Sequence, residues 1–562
     1  MGGTPAGDGG SVLTRLVCVR GVLMAALVVG IALPALAQAP PESRVRELLS
    51  QALAGAQPAS APMLPAGPSV DLTIDEAVAR ALERNLDIAV ERLTPQTFDF
   101  QLAGIRSAYT PTVTGLVGQN NVVQLPTSQL VGGQRVSQDA GTYNFGLTQR
   151  TPWGGGSFQA TWNNRRQEST NAFNTFNPQF NSSVLFSYTQ PLLRGFRIDS
   201  TRQQLLVTRI NRDISEIQLK QTITNTLANV RNAYWDLAAA IRAVDVARRS
   251  LALAEKLVED NQIRVEVGTL APIDVVQAEA EAATRRQALA QAEASWRTTE
   301  LALKRLIVSG TGDALWAASL NPVDRPSPMA ASIDIEAAVR RALADRTDLA
   351  RARKQLESSH TTLGLLGDQK LPALDLLASY GLQGIGGTRF VREGGLGGQI
   401  TEEIPGGYAD ALRLIRNRDY PNWTVQLNLS YPIGTSSADA QHARAKIQLA
   451  QAQTQIRQVE LQVATEVTNV ALQVMSNQKR VDAAMAAREL AQRRLEAEES
   501  KFEVGMSTNF FVVQAQRDLA DAEVTELRAL LDYAKSLVDF ERSQQTSLTS
   551  GGITVVTAGG GQ

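Results

Sequence analysis

Residues 223–244 read ITNTLANVRNAYWDLAAAIRAV, and in them Ile223, Leu227, Val230, Tyr234, Leu237, Ile241 and Val244 recur at alternating steps of four and three. That seven-residue repeat marks a helix packed along a seam, not a strand or a lone surface helix. No proline or glycine falls between Phe196 and Gly268, so the helix is expected to run unbroken from about residue 200 to 267. At ~1.5 Å per residue it is roughly 100 Å long. Arg231, Asp236, Arg242, Asp245, Arg248 and Arg249 line its flanks, which excludes burial in lipid. One small core cannot cover a helix of this length; it needs long partners lying beside it.

Moving outward, the helix ends at Val267-Gly268-Thr269-Leu270-Ala271-Pro272, and a second helix, opened by Pro272, runs to 307. The two make a helical hairpin, followed by a connector over 309–332 rich in Gly, Pro and Asp. On the other side, residues 112–190 change to a period of two: Tyr143, Phe145 and Leu147 alternate with polar residues, as do Phe158, Ala160 and Trp162, then Val184, Phe186 and Tyr188. Gly-rich turns such as Trp153-Gly154-Gly155-Gly156 separate these strands. Before them a helical pattern spans residues 72–108, continuing past Pro95.

The chain then repeats itself. Leu72 to Val78 corresponds to Ile333 to Val339, and Pro111 to Pro372, a shift of 261 positions. Later the shift is 237: Glu266-Val267-Gly268 maps onto Glu503-Val504-Gly505, and Val275-Val276-Gln277-Ala278 onto Val512-Val513-Gln514-Ala515. Ordered matches through both halves signal an internal duplication. Trp423, Val425, Leu427, Leu429 and Tyr431 alternate in the second β section, and Ile456, Val463 and Val470 keep the heptad of the second long helix. Pro111 to Pro191 spans 80 residues against 60 for Pro372 to Pro432, room in the first half for one more hairpin around residues 143–166.

The expected organisation is therefore a signal peptide at 1–37, a leader at 38–70, a first repeat at 71–325, a second at 326–548 and a tail at 549–562. The first repeat holds strands over 112–190 and helices over 200–267 and 272–307; the second holds strands over 373–431 and helices over 437–503 and 508–545. Arg15 and Arg20 ahead of the apolar run Val22 to Leu33, with Ala35-Leu36-Ala37 after it, carry the signal assignment. Cys18 lies within that segment, so the exported chain is left without a thiol. With 55 basic and 56 acidic residues there is no nucleic-acid surface. His360 and His442 are the only histidines, which argues against a metal or catalytic site, and no phosphate loop occurs; the glycines of 384–398 are read as a strand-to-strand loop. No cofactor and no enzyme activity is expected.

Strands with one apolar and one polar face are best served by a membrane barrel, which gives the apolar face to lipid, leaves the polar face wet and removes free edges by closure. Trp153, Trp162, Tyr188, Trp423 and Tyr431, read as lying near strand ends, suit the two interfaces. Four core strands are too few to enclose a barrel, so several chains must share it.

Leu371-Pro372-Ala373-Leu374-Asp375-Leu376, Tyr188-Thr189-Gln190-Pro191-Leu192 and the two Val-Gly turns, each followed by Val-Val-Gln-Ala, form an ordered and duplicated set. In these segments the chain resembles the TolC family of outer-membrane efflux proteins over nearly all of its exported length. The resemblance implies an α+β membrane protein: a duplicated long-helix α-barrel plus an outer-membrane β-barrel shared by a homotrimer. It implies a passive exit duct across the outer membrane and periplasm of a Gram-negative-type cell, serving a tripartite efflux or type I secretion system. Its partners would be a periplasmic adaptor (membrane fusion protein), an inner-membrane transporter and outer-membrane lipid. The exported substrate and the pump stay open.

The resemblance puts Val267, Gly268, Thr269, Val504, Gly505 and Met506 at adaptor-docking tips. It puts a periplasmic gate at Asp274, Phe511 and Gln514. Relatives close this tip with acids, an arginine and an aromatic, where this chain has Phe511 and Gln514, Ser507, and Phe502. An apolar constriction by Phe511 is therefore expected instead of a charged ring, with seam packing of Phe510 and Phe511 as the other reading. The competing class is a periplasmic coiled-coil adaptor or scaffold without a channel, which has no reason to carry alternating, aromatic-ended strands.

Overall fold

A computed structural model describes residues 69–125, 135–268, 270–325, 332–394 and 398–546. The expected signal peptide, leader residues 38–68 and tail 549–562 lie outside the described residues. In chain order the elements are β1 (Ser69–Leu72), α1 (Ile74–Arg84), α2 (Leu86–Arg106), β2 (Thr112–Gln124), β3 (Val136–Arg150), β4 (Ser157–Ser169) and β5 (Phe176–Pro191). Then come α3 (Ser200–Glu266), α4 (Pro272–Ile307), α5 (Ala314–Ala317), β6 (Ser319–Pro322), α6 (Ile335–Asp345) and α7 (Thr347–Gln369). The remainder is β7 (Ala373–Arg392), β8 (Ile400–Ile404), α8 (Tyr408–Asn417), β9 (Pro421–Ser430), α9 (Ser437–Glu503) and α10 (Asn509–Gln544).

The heptad residues of α3 are the ones that pack. Ile223, Leu227, Val230, Tyr234 and Leu237 are buried together with Leu72, Ala77, Val78 and Ala81 from β1 and α1 and with Leu303 and Ile307 from α4. The second half repeats the arrangement, with Val463 and Val467 of α9 against Ala338 and Ala342 of α6, and Val474 and Val481 against Ala529 and Tyr533 of α10. Asp199 caps α3 and Ser436 caps α9, each accepting from a backbone N–H in the first turn.

Three expectations need correction. The helical pattern over 72–108 is broken at Asn85, which ends α1 and caps α2; its buried side chain accepts from Ile88 N–H (3.1 Å) and donates to the Leu306 carbonyl (2.9 Å). A polar side chain with a tertiary partner thus interrupts an uninterrupted apolar period. Residues 309–332 are more than a connector: β6 pairs in parallel with β1, so Ser69 and Val70 belong to a strand and not to the leader. Buried Lys304 pins this region, donating to the Trp316 and Ala318 carbonyls while paired with Glu300 at 3.2 Å. Third, Gly384, Gly386 and Gly387 lie inside β7 rather than in a loop.

Tyr234 sits where the parallel pair meets α3. Its hydroxyl is 2.9 Å from both the Leu72 carbonyl and the Asp324 carboxylate, and it accepts the Asp324 N–H at 3.1 Å. Tyr234→Phe keeps the ring but strips buried groups of their partner. It should lower stability by roughly 1–3 kcal/mol, read as a lower Tm of the detergent-solubilised protein; an unchanged Tm would refute the role.

The large sheet runs β2-β3-β4-β5-β7 in antiparallel order, with β9 paired to Ala373–Leu382 and β8 to Arg389–Arg392 along the same side of β7. It is six columns wide. The extra hairpin allowed by the length difference, β3–β4, is inserted in the sheet between β2 and β5, so it widens the sheet by two strands. The halves join through β5 and β7, from Pro191↔Asp375 to Phe176↔Arg389. β2 and β9 are the outer edges, and β9 is exposed throughout.

Candidate functional site

Two regions can act: the hairpin tips and the two faces of the sheet. At the first tip Val267 is the C-cap of α3, and Gly268 takes φ +83°; at the second Val504 is the C-cap of α9, and Gly505 takes φ +77°. Nothing lies within 4 Å of a Cβ built at either glycine, so the left-handed backbone, not crowding, is what calls for glycine there. Val267, Val504 and Met506 are exposed at 73%, 69% and 79%. They present apolar side chains at the ends of the long helices, uncovered among the described residues. Thr269 lies outside the described residues.

The tips are tied together by polar contacts that the sequence reading missed. Asn261, buried on α3, donates to buried Asn509 at the start of α10 (3.1 Å), and both amides reach the Asp274 carbonyl, at 3.5 and 3.4 Å. Asp274 thus contributes its backbone to the junction. Further along, buried Glu281 of α4 accepts from Arg285 at 2.7 Å and from Arg517 of α10 through its Nε at 2.9 Å and a second guanidinium nitrogen. Burial alone would push the Glu281 carboxyl up; the bonds from Arg517 and Arg285 outweigh it and hold the carboxyl below the usual range. The only advance signal was a polar residue, Asn261, standing among seam positions of a helix.

Among the positions matched to the gate, Phe502 is buried under the Arg264 guanidinium (4.2 Å to the ring centroid), and Ser507 donates to Glu498 at 2.7 Å. Gln514 donates to Asp518 (2.8 Å), which also receives Arg494. Phe511 is half exposed, its ring meeting Phe510 edge to face at 5.6 Å. The structure therefore joins Asp274 to the junction, leaves Phe511 at the surface, and binds Gln514 through Asp518 of its own helix to Arg494 of α9.

The sheet is two-faced, as alternation and register require. One face carries Val113 and Val117; Tyr143, Phe145 and Leu147; Phe158, Ala160 and Trp162; Val184, Phe186 and Tyr188. It continues across Leu374, Leu376, Ala378, Tyr380 and Leu382 of β7 and Trp423, Val425, Leu427 and Leu429 of β9. Along β7, Leu374 to Leu382 is eight steps of ~3.3 Å, about 26 Å, close to the apolar band ~25 Å tall of outer-membrane barrels. The opposite face is polar and hollowed into a cavity of about 750 Å³ whose lining includes Thr142, Asn144, Asn163, Arg165, Ser183 and Gln383. Of the aromatics expected at strand ends, Trp153 is in the β3–β4 turn, while Trp162 lies within β4 near the upper edge of the band. Among the described residues no helix is long and apolar enough to cross a membrane.

A wall with one apolar and one polar face, carried on paired helical hairpins, defines a channel protein. The chain matches the family profile described as "Outer membrane efflux protein" over residues 154–308 and 338–543, and it belongs to that family. No curated protein matched the sequence significantly. Among solved structures it resembles the Campylobacter jejuni CmeC outer membrane channel, with a TM-score of 0.61 and 15% identity, covering 86% of this chain and 87% of that one. The outer membrane protein VceC from Vibrio cholerae matches with a TM-score of 0.59 and 15% identity, over 84% and 95% of the two chains. The open state of the Neisseria gonorrhoeae MtrE outer membrane channel gives 0.56 and 18%, over 84% and 88%. The shared fold is that of TolC-type outer-membrane channels, and this chain is an efflux channel of that family, not of an enzyme family.

Proposed function

We propose that three copies of the chain close one barrel in the outer membrane and one helical tube in the periplasm, forming a passive exit duct. What carries this reading is the apolar face continuous over six strand columns and bounded by two open edges, β2 and β9. Such edges are a liability unless paired, and pairing β9 of one copy with β2 of the next removes them. Six columns from each of three chains make eighteen, a size that leaves an aqueous channel. The polar face then lines the lumen.

The exposed Val267, Gly268, Val504, Gly505 and Met506, with Thr269 between them in sequence, would meet a periplasmic adaptor, and energy would come from an inner-membrane transporter. Electron microscopy of the detergent-extracted membrane fraction tests the whole. A threefold tube with a shaft on the order of 100 Å supports it. A soluble, elongated monomer needing no detergent would overturn it in favour of an adaptor-like protein.

Phe511 is the proposed constriction, an apolar ring that sheds water when three copies converge. Phe511→Ala is expected to raise single-channel conductance in planar bilayers. If conductance does not change, Phe511 is a packing residue and the gate lies elsewhere.

A further inference from the structure

We infer that α8 is a lipid clamp, its outward arginines Arg413, Arg416 and Arg418 binding the phosphates of outer-leaflet lipid headgroups. The inference rests on the reading that the apolar face of the sheet meets the bilayer.

The position of α8 is specified by the strands beneath it. A Cβ at Gly384 would lie 2.0 Å from the Ala411 carbonyl oxygen, and one at Gly386 would lie 2.2 Å from that of Gly407. Only glycine lets a helix lie this close on a strand. Tyr408 completes the seat, its hydroxyl donating to buried Asn164 at 2.6 Å and its ring lying 6.2 Å from Phe180. Gly384 pairs with Ser182, and Ser182 with Asn164. All three point to the same side as Leu382, Val184 and Trp162, two residues before or after them along their strands. The helix therefore rests on the lipid-side face, one step beyond the apolar band, at the end of the sheet away from the long helices. That is the level of the headgroups.

What α8 shows outward fits such a level. Ala411 is buried against the sheet, and at 100° per residue Arg413 and Arg416 fall on the opposite side. Arg418 follows in a left-handed C-terminal cap, with φ +60°. Arg413 reaches Asp410 at 3.2 Å, but Asp410 is engaged in capping the Gly407 N–H; Arg416 and Arg418 are exposed, and neither has an ion-pair partner among the described residues. Asp419 is the other acid of the segment. Three guanidinium groups over six residues, with exposed Tyr380 and Trp423 paired on the same face, match phosphate oxygens in geometry and charge, since arginine binds phosphate through two parallel N–H donors. Interfacial tyrosine and tryptophan mark the same depth.

The test incubates the full-length detergent-extracted protein with diphosphorylated lipid A or with its dephosphorylated form and counts lipid retained by native mass spectrometry. The wild type should retain the phosphorylated lipid selectively, and the triple variant Arg413→Gln, Arg416→Gln, Arg418→Gln should lose it by roughly fivefold per arginine removed. Glutamine keeps the length of these exposed side chains and leaves the Gly384 and Gly386 seat intact. Equal retention by the two proteins, or retention indifferent to phosphate, overturns the clamp. Flotation with pure phosphatidylcholine vesicles separates the two readings: a wild type that floats while lipid A retention is unchanged by the variant sinks the clamp alone. One that does not float removes the membrane reading and the clamp with it.

Discussion

Val425→Arg is expected to abolish assembly in the membrane, while Gln426→Arg, one residue on, should be tolerated. Val425 is 64% exposed in the isolated chain and pairs with Ala378, the middle of the run Leu374 to Leu382 on β7. If that face meets lipid, an arginine there lies near the bilayer midplane, where it costs about 2–4 kcal/mol in a β-barrel. Three copies place three such charges in one barrel, and the free edge of β9 is also the proposed seam between subunits. Gln426 points to the other side of the strand, into the polar face, where a guanidinium stays hydrated. Flotation and resistance of the oligomer to unfolding in detergent read the difference. Equal insertion of the two variants would mean that the apolar face is not the lipid face.

The second large effect is expected at the tips. Arg517→Ala leaves buried Glu281 with Arg285 alone, and removing one partner of a buried pair typically costs about 3–5 kcal/mol. Arg517 is itself half exposed, so solvent screening brings the expectation to the lower end of that range. The consequence is conformational. Glu281 belongs to the first hairpin and Arg517 to the second, so the bond between them, with the Asn261–Asn509 pair, holds the two tips in register. Combining Arg517→Ala with Asn509→Ala should let the hairpins splay, raising basal conductance and speeding hydrogen exchange of the backbone around 261–281 and 505–517. Unchanged conductance and exchange in the double variant would show that these contacts do not restrain the tip.

The same pair sets a pH dependence with a definite sign. The Glu281 carboxyl is held below the usual range, so the stability it contributes is fully present at neutral pH and begins to fall as pH drops below the ordinary carboxylate value, where the unfolded chain takes up the proton. The contribution is gone once pH has fallen through the lowered folded-state value and the native carboxyl is protonated as well. Wild type and Glu281→Gln should therefore differ at neutral pH and converge in strong acid.

How much of this was legible beforehand differs by element. The long helices needed only local information: Ile223 to Val244 repeat every seven residues, and that period states both the helix and the buried seam. The tight turns after Val267 and Val504 were legible because a glycine ends each apolar period. The alternation of Trp423 to Leu429 likewise declares a two-faced strand. The break at Asn85 was not legible, because the apolar pattern runs through it and the bond to the Leu306 carbonyl comes from 221 positions away. Nor was α8, ten residues beyond a glycine-rich stretch, too short for its period to stand out from the surrounding loop. At the tips, Asp274 and Phe511 were singled out by resemblance, whereas Asn261, Asn509, Glu281 and Arg517, which make the contacts, carry no motif.

The sequence by itself determined the repeat, the helix lengths and the two-faced strands, because periodicity and punctuation act between near neighbours. Only the tertiary structure decided that β3–β4 widens the sheet, that β6 pairs with β1, that α8 lies on the apolar face, and that Asn261 meets Asn509. Each of these joins groups far apart in the chain, and a single side chain does not encode which distant partner will satisfy it.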